Sequence, residues 1–172
     1  MKLSILFMLL LLFVFMGSGQ LKGKENFKYT PNIHGVLKMH GAPIPHQKVI
    51  LKVGFRGQIR EFSDTTNEKG EFNFHSIQET KILSPSFLDQ KYVVVFLKTN
   101  LDSGEEITIW ESSIDGYEID DFVRDNMANL TCEVTDKLSY FAFSYSRNNE
   151  ADTYVYSQCK LFGYVDTGIY EE

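Results

Sequence analysis

From residue 33 onward, apolar residues recur every second position in short runs separated by glycine, proline and asparagine, a pattern that predicts strands and tight turns. The first strand is expected over 33–39, followed by a turn at His40-Gly41-Ala42-Pro43 and a second strand over 47–54. Gly54, Arg56 and Gly57 mark the next reversal. A third strand covers 58–63, although Ile59 and Phe62 fall out of strict alternation. Lys69-Gly70 closes a turn into Glu71-Phe72-Asn73-Phe74-His75, where period two puts Phe72 and Phe74 on one face.

The pattern then loosens. In 76–90 the apolar residues Ile77, Ile82, Leu83, Phe87 and Leu88 are too irregular for a strand, and Pro85 prevents a long helix; a loop with a short helical turn is expected. Residues 92–97 form a continuous apolar, β-branched run, as in a strand buried on both faces. A turn over 100–104 folds it back on 107–110, which alternates and ends on Trp110, giving a hairpin. From 112 to 129 the chain is acidic, and Tyr117, Ile119, Phe122 and Val123 fit neither period. A strand over 130–134 carries Cys132, and 139–145 with 153–161 predict an aromatic hairpin around Arg147-Asn148-Asn149-Glu150. The sum is an all-β, mostly antiparallel sandwich over 32–165 with a short tail over 166–172.

Residues 1–19 read differently. Lys2 precedes an apolar run from Leu3 to Met16, and Gly17-Ser18-Gly19 supplies small residues for cleavage before Gln20, so a secretory signal peptide is expected. At about 1.5 Å per residue the run reaches roughly 21 Å, short of the ~30 Å hydrocarbon core, and no stable membrane span is expected after cleavage. Residues 20–31 are polar, carry Lys22, Lys24 and Lys28, show no periodicity and read as a leader into a single domain.

The formal charge is −6, and about −7 once Lys2 leaves with the signal. That balance opposes nucleic-acid or anionic-membrane binding, which need clustered Lys and Arg. Cys132 and Cys159 are the only cysteines. In an oxidising compartment an even pair reads as a disulfide, the alternative being two buried thiols; neither has the spacing of a redox or zinc site.

Gly35-Val36, Gly41-Ala42-Pro43-Ile44, Val49-Ile50-Leu51 and Thr65-Thr66-Asn67-Glu68-Lys69-Gly70-Glu71-Phe72-Asn73-Phe74 resemble the carboxypeptidase regulatory-like, transthyretin-like (prealbumin-like) β-sandwich. The 92–110 hairpin ending in Trp110-Glu111, the Tyr117 region, the run Asn129-Leu130-Thr131-Cys132-Glu133-Val134-Thr135-Asp136 and the final cysteine resemble an uncharacterised, mainly gammaproteobacterial family of exported envelope proteins. Together the resemblances cover residues 32–162. They imply the fold, export to the periplasm or beyond, and a Cys132–Cys159 bridge linking a C-terminal hairpin. They carry no catalytic residue. The chain departs from the family pattern over 140–156, which is longer and richer in aromatics.

Candidate chemistry is sparse. His34, His40 and His46 are spaced by six, but Gly41-Ala42-Pro43 interrupts any common strand; His40 and His46 remain as weak metal candidates without a third ligand, and no cofactor is implied. Asp115, Glu118, Asp120, Asp121 and Asp125 lack calcium-loop spacing and read as a solvated loop, or as an acidic edge for a basic partner beside Tyr117 and Phe122. Asn129-Leu130-Thr131 fits a glycosylation acceptor, relevant only in a eukaryotic secretory pathway. No nucleophile elbow, zinc-protease helix or phosphate-binding loop occurs, and the ending Gly168-Ile169-Tyr170-Glu171-Glu172 does not resemble the C-terminal signature of the ureide hydrolase built on transthyretin-like folds. Of the dense aromatic set, Phe141, Phe143 and Tyr145 are expected in the core, while Tyr117, Asp120, Asp121, Tyr140, Tyr154 and Tyr156 are candidates for partner contact. The function expected is that of a non-catalytic, exported binding module with a protein partner. The alternatives are a neutraliser of a secreted toxin and a small-ligand carrier or hydrolase.

Overall fold

The computed structural model describes residues 24–55, 57–82, 92–116, 119–144 and 153–165. The expected signal peptide, the start of the leader, Tyr117, Tyr145, the 147–150 turn and the tail lie outside them.

Two sheets enclose the core. The six-stranded sheet runs β11 (Ser139–Phe143), β12 (Thr153–Ser157), β9 (Glu106–Asp115), β8 (Tyr92–Asn100), β4 (Lys48–Phe55), β5 (Gln58–Thr65). The other runs β13 (Cys159–Lys160), β10 (Leu130–Glu133), β2 (Ile33–Met39), with β3 (Ala42–Pro43) and β6 (Glu71–Phe74) sharing the far edge of β2. Pairing is antiparallel except for β2 with β10, which is parallel. Between the sheets, alternate residues of β2, β4, β6 and β8 are buried, among them Ile33, Leu37, Leu51, Val53, Phe72 and Leu97. Period-two alternation thus delivers one apolar face per strand to a common interior.

The leader is not structureless. Lys24–Lys28 forms β1 and pairs with β7 (Gln78–Ile82), a strand where a loop was expected. Phe27 and Tyr29 enter the core, and Tyr29 stacks on Phe55 with ring centroids 3.8 Å apart. Each strand is short and polar on its exposed side, so neither shows a period alone; their pairing spans about fifty positions.

The acidic stretch is not all loop. It contains α1 (Asp121–Met127), which buries Val123, Asn126 and Met127 and stacks Phe122 on Phe143 at 4.2 Å. Asn126 is 1% exposed, donates to the carbonyls of Phe122 and Phe162, and accepts from the Phe162 N–H, so it ties the helix to the chain's last described turn. Among the described residues no buried side-chain nitrogen or oxygen lacks a partner.

Two further departures are local. The alternation expected through Trp110 is broken by a bulge between Leu97/Lys98 and β9: Leu97 faces Trp110 while Lys98 faces Thr108, which sends Ile109 and Trp110 both inward. The expected 153–161 strand splits at Gln158 and changes sheets. Ser157 donates its hydroxyl to the Ile109 carbonyl and accepts the Cys159 N–H, turning the chain from β12 to β13. Cys159 then lies opposite Cys132 on β10 and bonds to it, so the disulfide closes around the β11–β12 hairpin.

Candidate functional site

The six-stranded sheet has an outer face that no other described layer covers. Strand β8 alternates: Val93, Val95, Leu97 and Thr99 are buried inward, while Val94, Phe96 and Lys98 stay half-buried outside. The expectation of a strand buried on both faces is therefore corrected. The run is continuous in hydrophobicity because Val94 and Phe96 are shielded by neighbouring side chains on their own face.

Register builds a row across this face. Glu61 lies beside Lys52, Lys52 beside Phe96, Phe96 beside Glu111, Glu111 beside Tyr156, and Tyr156 beside Tyr140. Tyr140 stacks on Tyr154 with centroids 5.1 Å apart and 15° between planes, and meets Tyr156 at 5.1 Å and 53°. Tyr154 and Tyr156 remain 45% and 41% exposed, and Tyr92 adds a fourth tyrosine at 43%. A cleft of about 330 Å³ opens between the three clustered tyrosines, Val94, Phe96 and Ser113.

Charge on the face is internally matched. The Lys98 ammonium lies 3.0 Å from both Glu106 and Glu111 and 5.6 Å from the Phe96 ring centroid. Burial pulls its pKa down, but hydrogen bonds and the charges of both glutamates outweigh that and hold it above the ordinary lysine value. Lys52 pairs with Glu61 at 3.3 Å. The arrangement offers aromatic area, hydroxyl groups and matched charge.

The other candidates lie elsewhere. Asp120 precedes α1 and Asp121 begins it, paired with Arg124. Phe122 stacks on Phe143, which points inward from β11, so the acidic pair and the outward Tyr140 lie on opposite sides of that strand. His40 and His46 both have left-handed backbone, with φ of 51° and 57°. His46 pairs with Glu68 at 3.1 Å, while the His40 and Gly41 N–H groups donate to the Glu133 carboxylate at 2.8 Å each. Among the described residues no group of three or more His, Cys, Asp or Glu is placed to hold a metal. A second cleft, of about 700 Å³, lies between the β1–β7 ribbon and α1, with Lys28, Asn32, Gln78 and Arg124 in its wall.

Sequence reasoning found Tyr140, Tyr154 and Tyr156 but missed Val94, Phe96, Lys98 and Glu111. The signal was Lys98: it shares a period with Phe96 and Val94, and a lysine in that series marks an uncovered face.

No curated protein and no solved structure matches the chain significantly. A family profile described as a domain of unknown function, DUF6795, matches residues 33–137, from β2 to just beyond β10, and stops short of β11, β12 and Cys159. That match spans more than half of the sequence, and the chain belongs to the DUF6795 family.

Proposed function

We propose that this chain is an exported, non-catalytic recognition module of the bacterial cell envelope that engages a protein partner through the outer face of its six-stranded sheet. The observation that carries the reading is the convergence of Tyr140, Tyr154 and Tyr156 beside Phe96 on an uncovered sheet face. Tyrosines bury large area at low entropic cost and keep a hydroxyl for hydrogen bonding, which is why they dominate protein-recognition surfaces. The tyrosine hairpin lies beyond the family-matched stretch, so it fits a partner particular to this chain.

The test is crosslinking capture from the host's own periplasmic extract with the parent chain and with Tyr154→Ala/Tyr156→Ala. Both side chains are nearly half exposed, so the variant should keep the parent's melting temperature. Loss of one stoichiometric partner from the variant is the expected result; equal capture by both chains refutes the assignment of the face.

The second reading, a small-ligand carrier, is favoured by the 700 Å³ cleft and its polar wall. Its signature is a bound small molecule, seen by native mass spectrometry, that Lys28→Ala/Asn32→Ala releases while protein capture is unchanged.

A further inference from the structure

Among the described residues, the edges of the two sheets are closed or short, with one exception. In the smaller sheet the outer strands β13 and β3 have two residues each, and β6 has four. In the larger sheet β11 is met by an isolated bridge between Ala142 and Val165. Strand β5 is an eight-residue edge, and among the described residues only β4 pairs with it. It contains no proline, bulge or lysine, and the charges it does carry, Arg60, Glu61 and Asp64, guard the edge unless a second strand matches them. Ile59 on it is 74% exposed and Phe62 37%.

The direction of its backbone groups follows from register. β4 and β5 pair from Phe55↔Gln58 across a two-residue connection, so the ladder bonds to β4 fall on the even-numbered residues of β5. The N–H and C=O groups of Ile59, Glu61, Ser63 and Thr65 point away from β4. Thr65 agrees: its N–H donates to the neighbouring Asp64 carboxylate.

We propose that β5 is a homodimer edge, pairing antiparallel with β5 of a second copy about a two-fold axis at Phe62. Antiparallel pairing must oppose odd-numbered residues to odd-numbered residues if the outward groups are to bond, which leaves few registers. With the axis at Phe62, Arg60 of each copy faces Asp64 of the other, Glu61 faces Ser63, Ile59 faces Thr65, and the two Phe62 rings meet. Moving the axis to Glu61 sets Glu61 against Glu61 and Arg60 against Phe62. Moving it to Ser63 removes Arg60 from the pairing. Charge complementarity therefore selects the Phe62 register. Arg60 already reaches Glu79 at 3.3 Å, and Asp64 accepts the Asn73 N–H at 2.7 Å. A guanidinium with five N–H groups and a carboxylate with about four lone-pair sites retain capacity for the intersubunit pair.

The two-fold axis stands perpendicular to the sheet, so the joined sheets present both tyrosine faces on the same side. This inference does not depend on the partner reading, because β5 and the tyrosine hairpin lie at opposite edges of the sheet.

The test is sedimentation velocity on the protein as its host makes it, with amide exchange followed over a concentration series. The expected result is a dimer at high concentration, with the Ile59, Glu61 and Ser63 amides slowing as it forms. Ser63→Pro removes an outward N–H that the β4 ladder does not use and should weaken the dimer at least tenfold. Arg60→Asp should do the same, and Arg60→Asp/Asp64→Arg should restore it. A parent chain that stays monomeric to about 0.5 mM overturns the proposal. So does a dimer whose β5 amides exchange no more slowly than those of the monomer, a reading that requires no variant. A folded charge-swap variant that stays monomeric overturns the Phe62 register.

Discussion

Gly35 lies within β2, opposite Phe72 on β6, and the Phe72 ring occupies the space a side chain at Gly35 would need. A Cβ built there would lie 2.2 Å from Phe72 Cζ and 2.6 Å from Cε1. Gly35 has no left-handed backbone, so Gly35→Ala tests packing alone. Phe72 is fully buried and the ring cannot retreat into solvent. Overpacking a filled core costs about 1–3 kcal/mol, and turning a ring about 30° off its rotamer adds about 0.5–1.5 kcal/mol. A loss of about 3 kcal/mol follows, which at about 2–4 °C per kcal/mol for a domain of this size lowers Tm by about 6–12 °C. The assay is thermal and urea unfolding of the parent, Gly35→Ala, Phe72→Leu and the double variant; the smaller side chain should relieve the clash, with a coupling energy of at least about 1 kcal/mol. Gly54 is the internal control. A Cβ there would meet Val94 Cβ at 3.7 Å and Ile59 Cγ1 at 3.8 Å, ordinary contacts, so Gly54→Ala should stabilise by about 0.4–1 kcal/mol. A Gly35→Ala protein that melts within about 2 °C of the parent, or strictly additive effects in the cycle, would refute the reasoning.

Gly70 has φ +73°, and its Cβ would lie 2.5 Å from the Leu37 carbonyl oxygen, so Gly70→Val combines a strained backbone with a clash against main chain and should lower Tm more than Gly35→Ala. Replacing Cys132 and Cys159 by alanine together should lower stability by about 2–5 kcal/mol, because the bridge closes a loop of sequence separation 27; equal melting of parent and variant without reductant would contradict this. Glu133 accepts the Gly41 N–H, a Thr135 hydroxyl and the His40 N–H, and the Gly41 bond is the main cause of a pKa held below the ordinary glutamate value. Its folded pKa is depressed, so its contribution is present above the unfolded pKa and disappears as pH falls through the folded one. Glu133→Gln should therefore flatten the acid limb of the stability curve below about pH 4.5, measured by urea titration at stepped pH, and an unchanged acid limb would remove the clamp from the account.

Strands β2, β4, β6 and β8 were legible because glycine, proline and asparagine mark their ends and each has a clean buried face, and β9 was legible as the return of a hairpin after the 100–104 turn. Their neighbours β1 and β7 were not, since Phe27 is the one clear core residue within β1 and its partner lies about fifty positions away. The helix α1 is too short, at seven residues, for a 3.6-residue period to stand out in an acidic stretch. The candidate face was half legible: Tyr140, Tyr154 and Tyr156 are conspicuous as aromatics, but their association with Phe96 and Glu111 depends on how β12 pairs with β9, which local pattern cannot supply. The placement of Ile109 required the bulge, and an inserted residue leaves no mark in composition.

The disulfide lies three residues beyond Tyr156 and fastens the chain after β12 to β10 in the other sheet. Against β9, β12 holds the ladder pairs Val155↔Ser112 and Tyr156↔Glu111. Ser157 and Gln158, between Tyr156 and the bridge, also donate to the Ile109 and Thr108 carbonyls of β9. The tyrosine strand is thus fastened at its end by two independent ties, one hydrogen-bonded within its own sheet and one covalent to the other sheet, and cutting the bridge would remove only the second.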